Sequence, residues 1–219
     1  MRDRNFDLIV FDWDGTLMDS TAAIVDSLRD AASELRLPVP DRKKAAHVIG
    51  LGLREAWETV CPGLEDSIYP KLVALYRKYY LVNSLKITLF DGVEEMLKEL
   101  AQNGFQLAVA TGKSRAGLNR VLKETGLTAC FDGTRTVDES FSKPHPSMLL
   151  ELSDELQVPT ARMLMIGDTS HDLMMAKNAG VASVAVNYGA HSVRELEAMQ
   201  PLYIADSVAS LHDWLVKHA

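Results

Sequence analysis

Cysteine is scarce in this 219-residue chain: Cys61 and Cys130 are far apart and outside any Cys-x-x-Cys spacing, which excludes a disulfide framework and a thiolate zinc site. Free thiols in a reducing compartment are expected. Positive charge is also short, with 23 Lys and Arg against 30 Asp and Glu and a net charge of −7. A broad electropositive face for nucleic acid is thereby excluded, although a small basic pocket is not. No apolar run is long enough to span a bilayer, and the opening residues run into a strand without the apolar segment of a signal peptide. The expectation is a soluble, cytoplasmic protein with no membrane partner. Internal repeats and low-complexity stretches are absent, while 47% hydrophobic residues suffice for a proper core.

The most informative segment is Asp7-Leu8-Ile9-Val10-Phe11-Asp12-Trp13-Asp14-Gly15-Thr16-Leu17-Met18-Asp19-Ser20. Its continuous apolar run reads as a strand covered on both faces, and Gly15 allows the backbone to turn. Asp12 and Asp14 then stand at a strand's carboxyl end, where open α/β sheets bind ligands. A calcium-hand loop would need Gly at its sixth position and Glu at its twelfth; Gly15 is fourth from Asp12 and the twelfth residue is Ala23, so that reading fails. An ordinary Asx turn stays open on this segment alone. Trp13 reads as a packing residue.

Beyond the first strand, Ile24, Leu28, Ala31, Ala32 and Leu35 recur at helical spacing, with Pro38 and Pro40 expected to end the helix. Further helix is expected over 43–60 and 67–81. From about Thr88 the pattern alternates: helix 93–102, strand 105–110, helix 115–125, a weaker strand 134–137, helix 146–156, strand 163–166, helix 172–179, strand 182–186, then a short strand and helix. Repeated βα units imply a Rossmann-like parallel sheet with helices on both faces, and the all-helical stretch reads as an inserted cap. The expected division is a core of residues 1–17 and 88–219 and a cap of residues 18–87.

Three more clusters fall at expected strand ends. Thr111-Gly112-Lys113-Ser114 offers a hydroxyl, a permissive backbone and an amine beside a helix start, a place suited to an anion; alone, it is equally a strand-to-helix turn with Ser114 as N-cap. Ser142-Lys143-Pro144-His145-Pro146 holds a lysine before two prolines, either a positioned charge or a solvated loop residue. Gly167-Asp168-Thr169-Ser170-His171-Asp172 again sets acids at a strand's end, with Asp172 alternatively a helix N-cap or first-turn acid. In one parallel sheet these clusters surround a single crevice. Carboxylates that leave coordination positions open are the usual setting of Mg²⁺ with a substrate phosphate, so the set reads as phosphoryl transfer.

On these motifs the chain resembles the haloacid dehalogenase superfamily, in its phosphoglycolate phosphatase-like branch with a helical cap. The resemblance rests on Asp-x-Asp-Gly-Thr-Leu-x-Asp-Ser at 12–20, Thr111, Lys143 with Pro144, and Gly167-Asp168 with Asp172, in order along nearly the whole chain. It implies Asp12 as nucleophile, Asp14 as general acid and base, and Thr111 and Lys143 as catalytic residues holding the phosphoryl group. Mg²⁺ would be bound through Asp12, the Asp14 main-chain carbonyl, Asp168 and Asp172. Gly112 stands where many relatives carry Asn or Ser; its N–H is the group left to contact phosphate.

Thr111 to Lys143 leaves no room for a second cap, so specificity is expected from the helical cap or loops around the cleft. There, Ile49-Gly50-Leu51-Gly52-Leu53-Arg54 is a glycine-spaced turn ahead of a helix. Arg54 could meet a substrate carboxylate or second phosphate, or be a solvated helix residue. His47, His145 and His171 lie near the motifs without metal-ligand spacing. The expected activity is Mg²⁺-dependent hydrolysis of a small phosphorylated metabolite, phosphoglycolate being the nearest named candidate, by a monomer or weak homodimer. The alternatives are a sugar-phosphate mutase, whose Lys-Gly-x-Ser-Arg cap pattern is absent at 50–54, and a non-catalytic phosphometabolite-binding protein.

Overall fold

A computed structural model describes residues 5–219. Six parallel strands form one sheet, β1 (Leu8–Phe11), β2 (Gln106–Thr111), β3 (Gly133–Thr136), β4 (Met163–Gly167), β5 (Ala182–Val186) and β6 (Ile204–Ala205), in the spatial order β3-β2-β1-β4-β5-β6. The reversal of order lies at β1, which pairs Leu8 with Gln106 on one side and with Met163 on the other.

Side chains alternate across the pleat, so β1 feeds two cores at once. Ile9 and Phe11 join the cluster formed with α5 (Val93–Gln102), α6 (Arg115–Glu124) and α10 (Val208–His218). Leu8 and Val10 join the opposite one, with Met148, Leu149 and Leu152 of α7 (Ser147–Leu156) and Met175 and Ala176 of α8 (Ser170–Ala179). Helices thus cover both faces, which is why β1 and β4, and β2 from Leu107 to Ala110, run apolar rather than alternating. Trp13 is buried, edge-on to Phe131 with ring centroids 6.3 Å apart, as a packing residue should be.

Between β1 and α5 lie four helices, α1 (Thr21–Glu34), α2 (Arg42–His47), α3 (Leu53–Val60) and α4 (Tyr69–Asn83), with their own apolar cluster around Leu28, Trp57 and Leu72. This is the inserted helical cap. The two chain crossings that join it to the sheet are tied together: Asp19 N–H donates to the Thr88 carbonyl at 3.0 Å and Phe90 N–H to the Leu17 carbonyl at 3.0 Å.

Several element boundaries differ from the sequence expectation. The single helix over 43–60 is two, because Gly50 adopts φ +91 and the chain turns before Gly52, the N-cap of α3. The first helix leaves its course at Leu35 and Arg36 (φ 54), before Pro38 is reached. Helix α8 begins at Ser170, capped by the Thr169 side chain, with Asp172 at the third position of the capping box rather than at the cap itself. Ser114 is the N-cap of α6, its hydroxyl accepting from Gly117 N–H at 3.2 Å. Among the described residues, no helix is long and apolar enough to cross a membrane.

Candidate active site

The site lies at the carboxyl ends of β1, β2 and β4, with the cap loop at Gly50 to Gly52 over it. Asp12 directly follows β1, and its N–H extends the ladder to the Ile166 carbonyl at 2.9 Å, so its side chain is set by the sheet itself. Gly15 turns the chain at φ +83; a Cβ there would stand 2.2 Å from Asp168 Oδ2, so only glycine lets the first loop approach the acid after β4.

Lys143, open on sequence between a positioned charge and a solvated loop residue, is fully buried. Its Nζ stands 2.6 Å from Asp12 Oδ1 and 2.6 Å from Asp172 Oδ1. Burial disfavours the ammonium, but the two carboxylates outweigh it and hold the lysine charged. Asp168 accepts from Thr16 Oγ1 at 3.0 Å and from Ala190 N–H at 2.7 Å. Asp172 Oδ2 accepts from Thr169 Oγ1 at 2.6 Å and its N–H at 3.1 Å. Each acid is therefore aimed by a partner on a neighbouring element or turn.

Oxygens of Asp12, Asp168 and Asp172 lie within 4.8 Å of one another, all three residues being buried. Burial drives the Asp12 carboxyl up to about 7 against the pull of Lys143, and the same cause, with the charges of Asp12 and Asp172, drives Asp168 well above the usual carboxylate range. Asp12 Oδ2 is buried without a hydrogen-bond partner. Three converging acids, one with an unpartnered carboxylate oxygen, offer hard oxygen donors beside the lysine. That is a fit for Mg²⁺.

Asp14 is set apart from these three. Its carboxylate accepts from Ser20 Oγ at 2.6 Å and from Lys113 Nζ at 2.7 and 2.8 Å, and it lines a cavity of about 770 Å³ between sheet and cap. Thr111, buried, ends β2, and Gly112 follows beneath the cap loop. Arg54 lines the same cavity on its cap side, but its guanidinium is half-exposed, 3.1 Å from Asp66 and 4.4 Å from the centre of the Tyr69 ring.

Two features escaped the sequence reading. Tyr80 of α4 reaches Lys113, its hydroxyl 3.1 Å from Nζ. His191 joins His171 in donating to the His47 carbonyl, at 3.1 and 2.8 Å, and its ring stacks on His47 at 4.6 Å. With Ser170 N–H donating to His191 Nδ1 at 3.0 Å, both nitrogens of that ring are engaged, so the cluster is a cap-to-core fastening. A histidine at a distant loop carries no local pattern that would announce this.

The chain matches the model of the haloacid dehalogenase-like hydrolases over residues 9–186. "Probable phosphatase IndB" of Dickeya dadantii is 35% identical over 212 residues, covering 93% of this chain and 91% of that protein. A phosphoglycolate phosphatase of Vibrio vulnificus is 33% identical over 224 residues, 97% of each. The crystal structure of a predicted phosphoglycolate phosphatase from Haemophilus somnus superposes with a TM-score of 0.84 at 26% identity, covering 96% of this chain and 98% of that one. The chain belongs to the haloacid dehalogenase-like hydrolase family, as an enzyme of its phosphatase branch.

Proposed function

We propose that this protein is a Mg²⁺-dependent phosphatase of small phosphorylated metabolites, phosphoglycolate-like in size, with residues 18–87 as the cap and the remainder as the catalytic core. The observation that carries this reading is the Lys143 ammonium bridging Asp12 and Asp172 while Asp12 Oδ2 stays free. Such an arrangement orients one carboxylate for attack and supplies positive charge where a phosphate dianion must approach it.

Asp12, Asp168, Asp172 and the Asp14 main-chain carbonyl would hold Mg²⁺, which when bound neutralises phosphoryl charge. Lys143, Thr111 and the Gly112 N–H take phosphoryl oxygens. Asp12 forms an O–P bond as the ester P–O bond breaks, and Asp14 gives its proton to the departing alkoxide. Water then attacks phosphorus, Asp14 removes its proton, and Asp12 is released with inorganic phosphate. Arg54, already engaged by Asp66, lines the cap side of the same cavity.

The test is phosphate release from a panel of phosphate esters with Mg²⁺, together with acid-quench trapping of phosphate on Asp12. Turnover with label at Asp12 is expected. No release from any ester, or release without a trapped acyl phosphate in the burst phase, would overturn the reading.

A further inference from the structure

We propose that Lys113, together with the Tyr80 hydroxyl, is the receptor for an anionic oxygen on the leaving portion of the substrate, a carboxylate or a second phosphoryl group. The proposal rests on the phosphatase reading above and adds to it the chemistry of the group that departs.

Lys113 is nearly buried, 9% of its side chain being exposed, and its ammonium has one anionic partner, the Asp14 carboxylate. A desolvated ammonium is costly unless its donors are met by charge. Its third neighbour, the Tyr80 hydroxyl, is a neutral group contributed by the cap. The lysine is therefore shared between the core acid that serves the ester oxygen and a cap residue that helps enclose the leaving group.

Position decides what the lysine meets. For Asp14 to protonate the departing oxygen, that oxygen must come within about 3 Å of its carboxylate. With Nζ 2.7 Å from the same carboxylate, atoms one to three bonds beyond the ester oxygen fall within reach of the ammonium. Arg120 adds charge on the lysine's side, its guanidinium 5.9 Å from the centre of the Tyr80 ring. In a chain of net charge −7, the cavity concentrates Lys113, Arg120, Arg77 and Arg54 against Asp14, Glu55 and Asp138. An arriving anion would take up part of the lysine's donor capacity and leave an Asp14 oxygen for the ester.

The rival reading makes Lys113 a positioning residue that only steadies Asp14, and kinetics separate the two. The full chain with Mg²⁺ is assayed on 2-phosphoglycolate and on ethyl phosphate, which lacks the carboxylate, for the parent, Lys113→Met, Lys113→Arg and Tyr80→Phe. We expect Lys113→Met to raise KM for phosphoglycolate about tenfold or more relative to ethyl phosphate, the loss of a charge-assisted contact. Lys113→Arg should restore part of that ratio. Tyr80→Phe, which removes one hydroxyl and keeps the ring, should shift it in the same direction by a smaller factor, and glycolate should weaken as a competitive inhibitor of both Lys113→Met and Tyr80→Phe. A parent that turns over both esters, with each variant affecting them equally, overturns the inference and leaves the phosphatase reading intact. A parent that hydrolyses neither ester nor any other phosphomonoester overturns both. If Lys113→Met does not fold, the Tyr80→Phe ratio decides.

Discussion

Gly112 and Gly50 meet across the junction of core and cap so closely that a Cβ on Gly112 would stand 2.5 Å from the Gly50 carbonyl oxygen. The missing side chain is what lets the cap loop settle against the end of β2. Gly112→Ala should therefore lift the loop, with kcat/KM falling about tenfold or more and Tm nearly unchanged, since the contact lies outside both cores. Faster proteolytic cleavage within residues 48–52 would report the opened loop. Full activity with a protected loop would refute the steric account.

Chelation should abolish turnover and added Mg²⁺ restore it. Ca²⁺ should not substitute, because its larger, more flexible shell can engage both Asp12 oxygens and leave none to attack. A second readout is stability. Burial raises the Asp12 carboxyl to about 7 from an ordinary 3.8, so the folded state favours its protonated form. The contribution of Asp12 to the stability of metal-free protein is fully present below the ordinary value and is lost as pH rises through about 7. Thermal melts in chelator should show that decline, and Mg²⁺ should reverse it most strongly near neutrality. A flat profile that ignores Mg²⁺ would remove Asp12 from the cation site.

Asp12→Asn should lower kcat by at least about a thousandfold, as loss of a nucleophile does, while the protein remains folded. The amide removes one of three crowded acids, and Lys143 keeps Asp172 as its partner. Circular dichroism and a melting curve within a few degrees of the parent are the controls. Appreciable turnover by this variant would exclude a covalent route through Asp12.

Arg54→Ala should change KM by less than about threefold, and equally for phosphoglycolate and ethyl phosphate. Its side chain is 52% exposed and already engaged by Asp66, and exposed pairs of this kind contribute little. A selective rise for the carboxylate ester would move the specificity role from Lys113 to Arg54.

The fold was legible where chemistry and periodicity agree. Continuous apolar runs such as Leu8 to Phe11 marked strands covered on both faces, and the acids and lysine that follow several of them had to converge, because parallel strands end on one side of the sheet. Less legible were features made by contact between distant segments. Nothing local to Lys143 distinguishes a solvated loop lysine from a buried one; its burial comes from Asp12 and Asp172, far away in sequence. The Lys113–Tyr80 contact was hidden for the same reason, since Tyr80 falls in a stretch legible only as helix and its partner lies on a distant loop. The split between α2 and α3 was half visible. Gly50 and Gly52 marked a turn, but the flanking periodicity was strong enough to read as continuous helix.

The position of β1 in the sheet bears on how the chain is made. Leu8 has its partners at Gln106 and Met163, so the strand that presents Asp12 is synthesised well before either of its neighbours. The helices α1 to α4, whose contacts are closer in sequence, are able to collapse well before it. Long-range parallel pairing is slow, and an unpaired Leu-Ile-Val-Phe segment is the kind of surface on which nascent chains aggregate or recruit chaperones. Expression yield and refolding concentration should consequently respond more to substitutions in β2 and β4 than to changes at the cap surface, because those two strands end the exposure of the first.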